Sequence, residues 1–391
     1  MSGRLLTAHS KMDQNNDSHS GTSDPNSRFF DGSFNMRHTV HVLAVVLTHI
    51  AKFINSFSPP LPNLVGIELL NEPAPGHHTA ELKQWYYDAI RSLRVIDARV
   101  PIVISDSWRP DDFAGYLSHK ADSLQYPHIV LDHHLYRCFT REDMGVLAYD
   151  HAGRLWDLNG DARRTFARVT DKLVSAGCDL IVGEWSGALN PMSLDPLPNH
   201  DHARSQFIQA QVDLYEQYCA GHFFWTYKKQ WEGDKGWSFR DTVRGGVFPK
   251  SIGLRLRRPL EHHSCETRLN AREAARSRSF GTPQSLFTLP PIQSTKRRRN
   301  EPLQGEHEAY WSQYPGSYEH WRFNEGFIQG WDDAYAFFTS SGGPALPELG
   351  FKGAWLKIRE RAHVVDRGNG PRVWEYSTRF PAVSNIQFLY H

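Results

Sequence analysis

Gly66-Ile67-Glu68-Leu69-Leu70-Asn71-Glu72-Pro73 is the stretch on which the reading of this chain turns. Residues 65–70 form a short apolar run of strand character, and the run ends in a carboxylate that folding alone does not require. Pro73 cannot donate to a ladder of backbone hydrogen bonds, so it stops the strand and leaves Glu72 at a rim. Outward from this point the pattern repeats. Apolar runs of strand character recur at residues 102–105, 129–131, 180–182 and 223–227. Amphipathic stretches separate most of them: in residues 81–95, Leu82, Trp85, Tyr86, Ala89, Ile90 and Leu93 return at helical spacing. After the polar His200-Asp201-His202, the residues Phe207, Ala210, Leu214 and Tyr218 fall on one face. Strands alternating with helices of this length predict βα units and a parallel sheet.

Five such units end near Pro249. A doubly wound sheet closes with five, whereas a (β/α)₈ barrel needs eight. The placing of polar residues favours the barrel, because each strand ends in chemically useful groups. These are Asn71-Glu72, Asp106-Ser107-Trp108, His133-His134-Leu135-Tyr136, Glu184-Trp185 and Trp225-Thr226-Tyr227. Functional groups gathered at the carboxyl ends of successive strands are what the top face of a barrel looks like in sequence.

Ile181-Val182-Gly183-Glu184-Trp185-Ser186 is a second apolar strand closing on a carboxylate. Two carboxylates at the same end of two strands of one barrel face a common pocket. That meets the need of glycoside hydrolysis, in which one carboxylic acid protonates the leaving oxygen and the other attacks or activates water. His134 and Tyr136 are two apart and so share a strand face, from which they can hydrogen-bond a carboxylate and a sugar hydroxyl. Trp225 stands where an indole can floor a pyranose ring, and Trp231 and Trp237 on the following loop can wall a subsite. His133 and the distant His77-His78 invite a metal-dependent hydrolase instead, but no ligand spacing supports it, so no metal and no cofactor are expected. A third reading is a glycan-binding protein that keeps the aromatic cleft without turnover.

Composition narrows the partners. The 391 residues carry 44 Lys and Arg against 43 Asp and Glu, a net charge of +1 that creates no global field for nucleic acid or an anionic membrane. The 13% aromatic content is high and suits either sugar stacking or a large core. Cys138, Cys178, Cys219 and Cys265 show neither pairing nor metal spacing and read as buried thiols. No signal-peptide core is visible at the amino terminus, and residues 42–47, the longest greasy run, fall far short of the roughly 20 a membrane span needs. Asn16-Asp17-Ser18 matches a glycosylation acceptor, which matters little without export, and a cytoplasmic location is expected.

Four regions are predicted. Residues 1–35 are polar and read as loop or disorder. Residues 36–249 hold the partial barrel, opened by a helix-like apolar stretch from Met36 to Ile54 that Pro59-Pro60 ends. Residues 250–307 carry a crowd of arginines, turn rich in Pro and Ser, and include Lys296-Arg297-Arg298-Arg299, which reads as a solvated linker. Residues 308–391 form an aromatic-rich extension.

With these motifs in order, the sequence resembles glycoside hydrolase family 5, most of all its fungal exo-β-1,3-glucanase branch. The resemblance rests on GIELLNEP (66–73), DHHLY (132–136), VGEWS (182–186), and FFWTYKK with GWSF (223–229 and 236–239), and it spans roughly residues 13–249. Asp13-Gln14-Asn15 and His19-Ser20-Gly21 resemble the family's loop after its third strand. The resemblance implies a retaining hydrolase of β-glucan, with Glu72 as acid/base, Glu184 as nucleophile and Asn71 as donor to the sugar 2-hydroxyl. It implies His134 and Tyr136 as groups that hold substrate and nucleophile, and Trp225 as the stacking platform. HWRFNEGFIQGWDDAYAFF (320–338) is similar to the extension of unsecreted fungal members of the branch. The family's first three strands, with an Arg on the second and a His closing the third, are not found ahead of Asp13. The expected fold is therefore an α/β, N-terminally incomplete (β/α)₈ barrel with a C-terminal appendage. Its strand before Glu72 should be an edge, or nearly so, and the chain as given should have little or no hydrolase activity.

Overall fold

Six strands form one sheet in which every neighbouring pair is parallel and the order in space repeats the order in sequence. They are β1 (Arg4–Thr7), β2 (Leu64–Glu68), β3 (Ile102–Ser105), β4 (Ile129–Arg137), β5 (Asp179–Leu189) and β6 (Gly221–Phe224). The helices between them are α1 (Ser33–Asn55), α2 (Thr79–Arg94), α3 (Pro110–Leu124), then α4 (Arg141–Met144), α5 (Ala148–Trp156) and α6 (Asp161–Ser175), and finally α7 (His200–Tyr218). The short α8 (Phe239–Arg244) follows β6. A doubly wound sheet reverses its order at a switch point. This one adds each strand to the same side of the last, which is how a (β/α)₈ barrel is wound. The fold is part of such a barrel, as the strand-end residues imply. The computed structural model describes residues 4–7, 29–56, 64–74, 76–124, 128–249, 292–339 and 352–384. The sequence motifs at Asp13–Asn15 and His19–Gly21, the Asn16 acceptor, Cys265 and the arginine-rich residues 250–291 lie outside them.

The strands form where apolar residues run without alternation, since both faces of a parallel sheet are covered. Ile102, Val103 and Ile104 are all buried, and Val103, Val130 and Ile181 from three adjacent strands make one cluster. In α2 the six apolar residues picked out by spacing are all buried. Trp85 Nε1 donates to Met36 O (2.9 Å), and Tyr86 Oη donates to Ser105 O (3.1 Å). Removing one such side chain down to alanine costs about 2–5 kcal/mol. Asn199 caps α7 by accepting from His202 N (2.9 Å), and the polar His200-Asp201-His202 form the first turn of that helix.

Several expectations are corrected. Arg4–Thr7, read as loop, pairs with β2 from Leu64 to Glu68, so the strand leading to Glu72 has neighbours on both sides and is not an edge. A four-residue strand has too short a pattern to show in sequence, and its partner defines it. Residues 33–35 already belong to α1. β4 and β5 extend well past their apolar runs, which puts His133–Tyr136 and Glu184 within strands, while β6 stops before Trp225. Cys178 and Cys219 are buried and Cys138 half-buried, all as free thiols. Among the described residues no helix is long and apolar enough to cross a membrane.

The chain divides into two units, Met1–Lys250 with Pro344–Lys357, and Ser251–Gly343 with Ile358–His391. The second holds α9 (Ile292–Trp311), α10 (His320–Thr339), most of α11 (Lys352–Arg367) and α12 (Val373–Ser384). Phe323, Phe327, Trp331 and Tyr376 are buried there, and Leu303 packs on Phe327 and Trp331. A β-carbon at Gly326 would stand 2.1 Å from Tyr376 O, so only glycine lets α10 approach α12 this closely. α9 begins inside the stretch read as linker. Lys296 is buried there and pairs with Asp332 (2.8 Å), because helical spacing turns part of a basic run inward.

Candidate active site

β4 supplies the centre of the site. Asp132, His134 and Tyr136 alternate with His133 and Leu135, so the period of two in a strand directs the first three to one face. His133 goes the other way, where its Nδ1 meets Asp106 Oδ2 (2.7 Å) against the ring of Phe166. On the productive face His134 stands opposite Glu184 in the register with β5. Its Nδ1 lies 2.7 Å from Glu72 Oε1 and 3.6 Å from Glu184 Oε2, and its Nε2 lies 3.2 Å from Asp132 Oδ2. Tyr136 Oη donates to Glu184 Oε2 (2.7 Å). Carboxylate oxygens of Glu72 and Glu184 and a nitrogen of His134 all fall within 4.8 Å of one another.

Glu72 reaches this cluster from a turn after β2. Its φ of 44° is in the left-handed region, where a side chain costs about 1–2 kcal/mol. Such an outlier persists where surrounding contacts over-determine it, as the bond to His134 does here. Asn71 is buried beside it, at the same end of the sheet.

The electrostatics follow from burial and close charges. Desolvation works against an imidazolium at His134, but Asp132, Glu72 and Glu184 together outweigh it and hold its pKa well above the usual value. Burial pushes the Glu184 carboxyl up, and the nearby Glu72 and Asp132 add to this. The His134 charge and the Tyr136 hydroxyl pull it back, leaving it above an ordinary glutamate. Burial and Glu184 raise the Tyr136 phenol, which therefore stays a donor.

Aromatic rings border the cluster. The Trp237 ring lies 5.4 Å from Tyr136 and 5.8 Å from Phe139, and Lys229 Nζ sits over Trp237 (5.8 Å) and Trp231 (5.5 Å). Trp225 follows β6 with its indole 41% exposed and its backbone N–H bonded to Trp185 O (2.7 Å). The structure thus joins Glu72, Glu184, His134, Tyr136 and Trp237 through contacts, and sets Asn71 after β2 and Trp225 after β6, with three strands between them in the sheet. His78, weighed as a metal ligand in sequence, pairs with Glu81 (2.7 Å).

Sequence reasoning missed Asp132. It is fully buried, accepts from Gly183 N through Oδ1 (2.6 Å) and faces His134 through Oδ2. Its place two residues before His134 was the available signal. Two donor sets could hold a cation, Glu72-His134-Glu184 and Glu68-Asp132-His134. Across the two sets, His134 Nδ1 faces Glu72 and Nε2 faces Asp132, an arrangement that a protonated imidazole satisfies by donating twice.

Glu72 and Glu184 thus bring carboxylate oxygens within 4.8 Å of each other at the mouth of the sheet. Known proteins point the same way. Residues 8–230, more than half of the chain, match the sequence model of the cellulase family, glycosyl hydrolase family 5. The chain belongs to glycosyl hydrolase family 5. Residues 292–384 match a second model, the glucan 1,3-beta-glucosidase 3 C-terminal domain. Among curated relatives, glucan 1,3-beta-glucosidase 3 of Schizosaccharomyces pombe is 28% identical, over 96% of this chain and 67% of its own length. An uncharacterized glycosyl hydrolase of Saccharomyces cerevisiae is 25% identical over 93% of this chain and 60% of its own. A glucan 1,3-beta-glucosidase of Blumeria graminis is 26% identical over 54% of each. The chain thus spans between about half and two thirds of the length of these relatives.

Proposed function

We propose that this chain carries the catalytic pair of a retaining β-glucan hydrolase of the glucan 1,3-β-glucosidase kind. The observation that carries the proposal is the meeting of Glu72 and Glu184 within 4.8 Å around His134. Glu184 is the nucleophile: its carboxylate attacks the anomeric carbon as the glycosidic bond breaks. Glu72 is the acid, and its proton goes to the departing oxygen. In the second half Glu72, now a carboxylate, takes a proton from water, whose oxygen displaces Glu184 from the sugar. Tyr136 and the His134 imidazolium hold Glu184 ionised despite its burial. Asn71 donates to the sugar 2-hydroxyl, and Trp225 and Trp237 supply stacking faces. The C-terminal domain match and the names of the relatives support β-1,3-glucan as substrate.

Turnover of aryl β-glucosides with good and poor leaving groups, together with intact mass after exposure to a slow glycoside, tests the reading. Glu184→Gln should lose both turnover and the covalent glycosyl adduct, because an amide cannot form the ester. Glu72→Gln should lose about 10²–10⁴-fold on poor leaving groups and much less on good ones. The acid limb of kcat/KM should lie above the ordinary glutamate range, since Glu184 must ionise and its pKa is raised. Glucan binding without turnover or adduct would instead mark a binding protein.

A further inference from the structure

We propose that His307, His320 and Glu375 form a zinc site in the helical unit, outside anything the hydrolase chemistry uses. The three come from three elements: α9 carries His307, His320 opens α10, and Glu375 lies in the first turn of α12. Their ligand atoms fall within 4.8 Å of one another. Glu375 Oε2 lies 3.2 Å from His307 Nε2 and 2.9 Å from His320 Nδ1. In a tetrahedral zinc site with bonds of about 2.0–2.1 Å, neighbouring ligand atoms stand roughly 3.3 Å apart. The carboxylate oxygen therefore already stands near the edge length of such a tetrahedron from each of the two nitrogens.

Charge argues the same way. Glu375 is fully buried, and its polar partners among the described residues are the two imidazoles and the Glu319 N–H. A buried carboxylate without a cation beside it is strongly disfavoured. Zinc supplies the charge while leaving both imidazoles neutral, and two nitrogens with one carboxylate are a ligand set it prefers. At the catalytic centre a single imidazole faces separate carboxylates. Here two imidazoles converge on a single carboxylate oxygen.

The surroundings hold the ligands in place, as metal sites require. Glu375 Oε1 accepts from Glu319 N (2.7 Å), which fixes the turn of the carboxylate. His307 stacks on Phe323 (4.0 Å between centroids) and His320 lies nearly parallel to Tyr318 (5.5 Å). His307 is buried, whereas His320 is 26% exposed, giving water a path to a fourth position. A metal here would tie three helices of a small unit, where binding energy is also folding energy.

The test uses the full chain, stripped with chelator and titrated with Zn²⁺ by calorimetry and with Co²⁺ by visible absorption. One equivalent should bind, with the absorption of tetrahedral cobalt, and should raise Tm. Glu375→Gln and His320→Gln should each weaken binding at least ~tenfold and remove the cobalt bands. His320→Gln changes a partly exposed residue at a helix start, so it decides the matter if Glu375→Gln fails to fold by circular dichroism. Absence of zinc binding by the unaltered chain overturns the proposal. So does an equivalent of zinc that His320→Gln retains with equal affinity, since the metal then sits elsewhere.

Discussion

Asp132, fully buried, organises the groups proposed as catalytic. One oxygen is bonded to the backbone of Gly183, next to Glu184, and the other faces His134, which in turn holds Glu72. Gly183 is part of the same arrangement, because a β-carbon there would stand 2.0 Å from Asp132 Oδ2. Gly183→Ala must therefore displace the Asp132 carboxylate or β5. We expect a loss of about 1–3 kcal/mol from overpacking, read in the denaturation midpoint, with a fall in kcat as His134 and Glu184 separate. Gly115→Ala in α3 is the control: nothing lies within 4 Å of the added carbon, so a gain of about 0.5–1 kcal/mol is expected. Equal behaviour of the two variants would dissociate Asp132 from the site. The period of two along DHHLY made His134 and Tyr136 legible as a pair, and the same period contains Asp132. What sequence could not show is that Asp132 turns toward the strand bearing Glu184, which depends on the register between β4 and β5.

At the scale of elements, α11 starts on a buried charge. Asp179, the first residue of β5, accepts from Gly353 N (2.8 Å) and Ala354 N (3.2 Å). A β-carbon at Gly353 would meet Cys178 O at 2.0 Å, so glycine is what allows the helix to come this near. Burial pushes the Asp179 carboxyl up to about 6, although the N–H groups of Gly353 and Ala354 and the charge of Lys352 pull the other way. A carboxyl with a folded pKa above its unfolded value holds more protons in the folded state. Its contribution to stability is therefore greatest below about pH 4 and is lost as pH rises toward 6. A rise of this size makes the charged form about 3 kcal/mol less favourable in the folded protein than in the unfolded chain. Asp179→Asn cannot titrate but keeps an acceptor for the helix. The difference in unfolding free energy between the two proteins, measured by urea at pH 4, 5, 6 and 7, should move across that window in favour of the variant. A constant difference would mean that Asp179 does not carry the charge change. Sequence showed the apolar run of β5 but gave no hint of this cap, because its two halves are 174 residues apart.

For the whole molecule, each unit holds a cluster of buried apolar side chains of its own among the described residues. One is built on the parallel sheet around Val103, Val130 and Ile181, and the other on Phe327, Trp331 and their helical neighbours. Units with clusters of their own need not melt together. Calorimetry should therefore give an enthalpy larger than the van't Hoff value, and the two should not coincide. Agreement between them, with all optical probes superimposed, would show a single cooperative unit.

The sequence by itself determined the alternation of strand and helix, the parallel sheet and the two carboxylates at strand ends. These are local properties, carried by the spacing of apolar residues and by residues such as Pro73 that stop an element. Only the tertiary structure decided that Arg4–Thr7 is a strand, that Lys296 turns inward, and that His134 stands between Glu72 and Glu184. It alone brought His307, His320 and Glu375 together from three helices. The physical reason is common to all of these. A four-residue strand exists through its partner, a buried charge through its counter-charge, and a three-residue site through helices that meet only once the chain is packed.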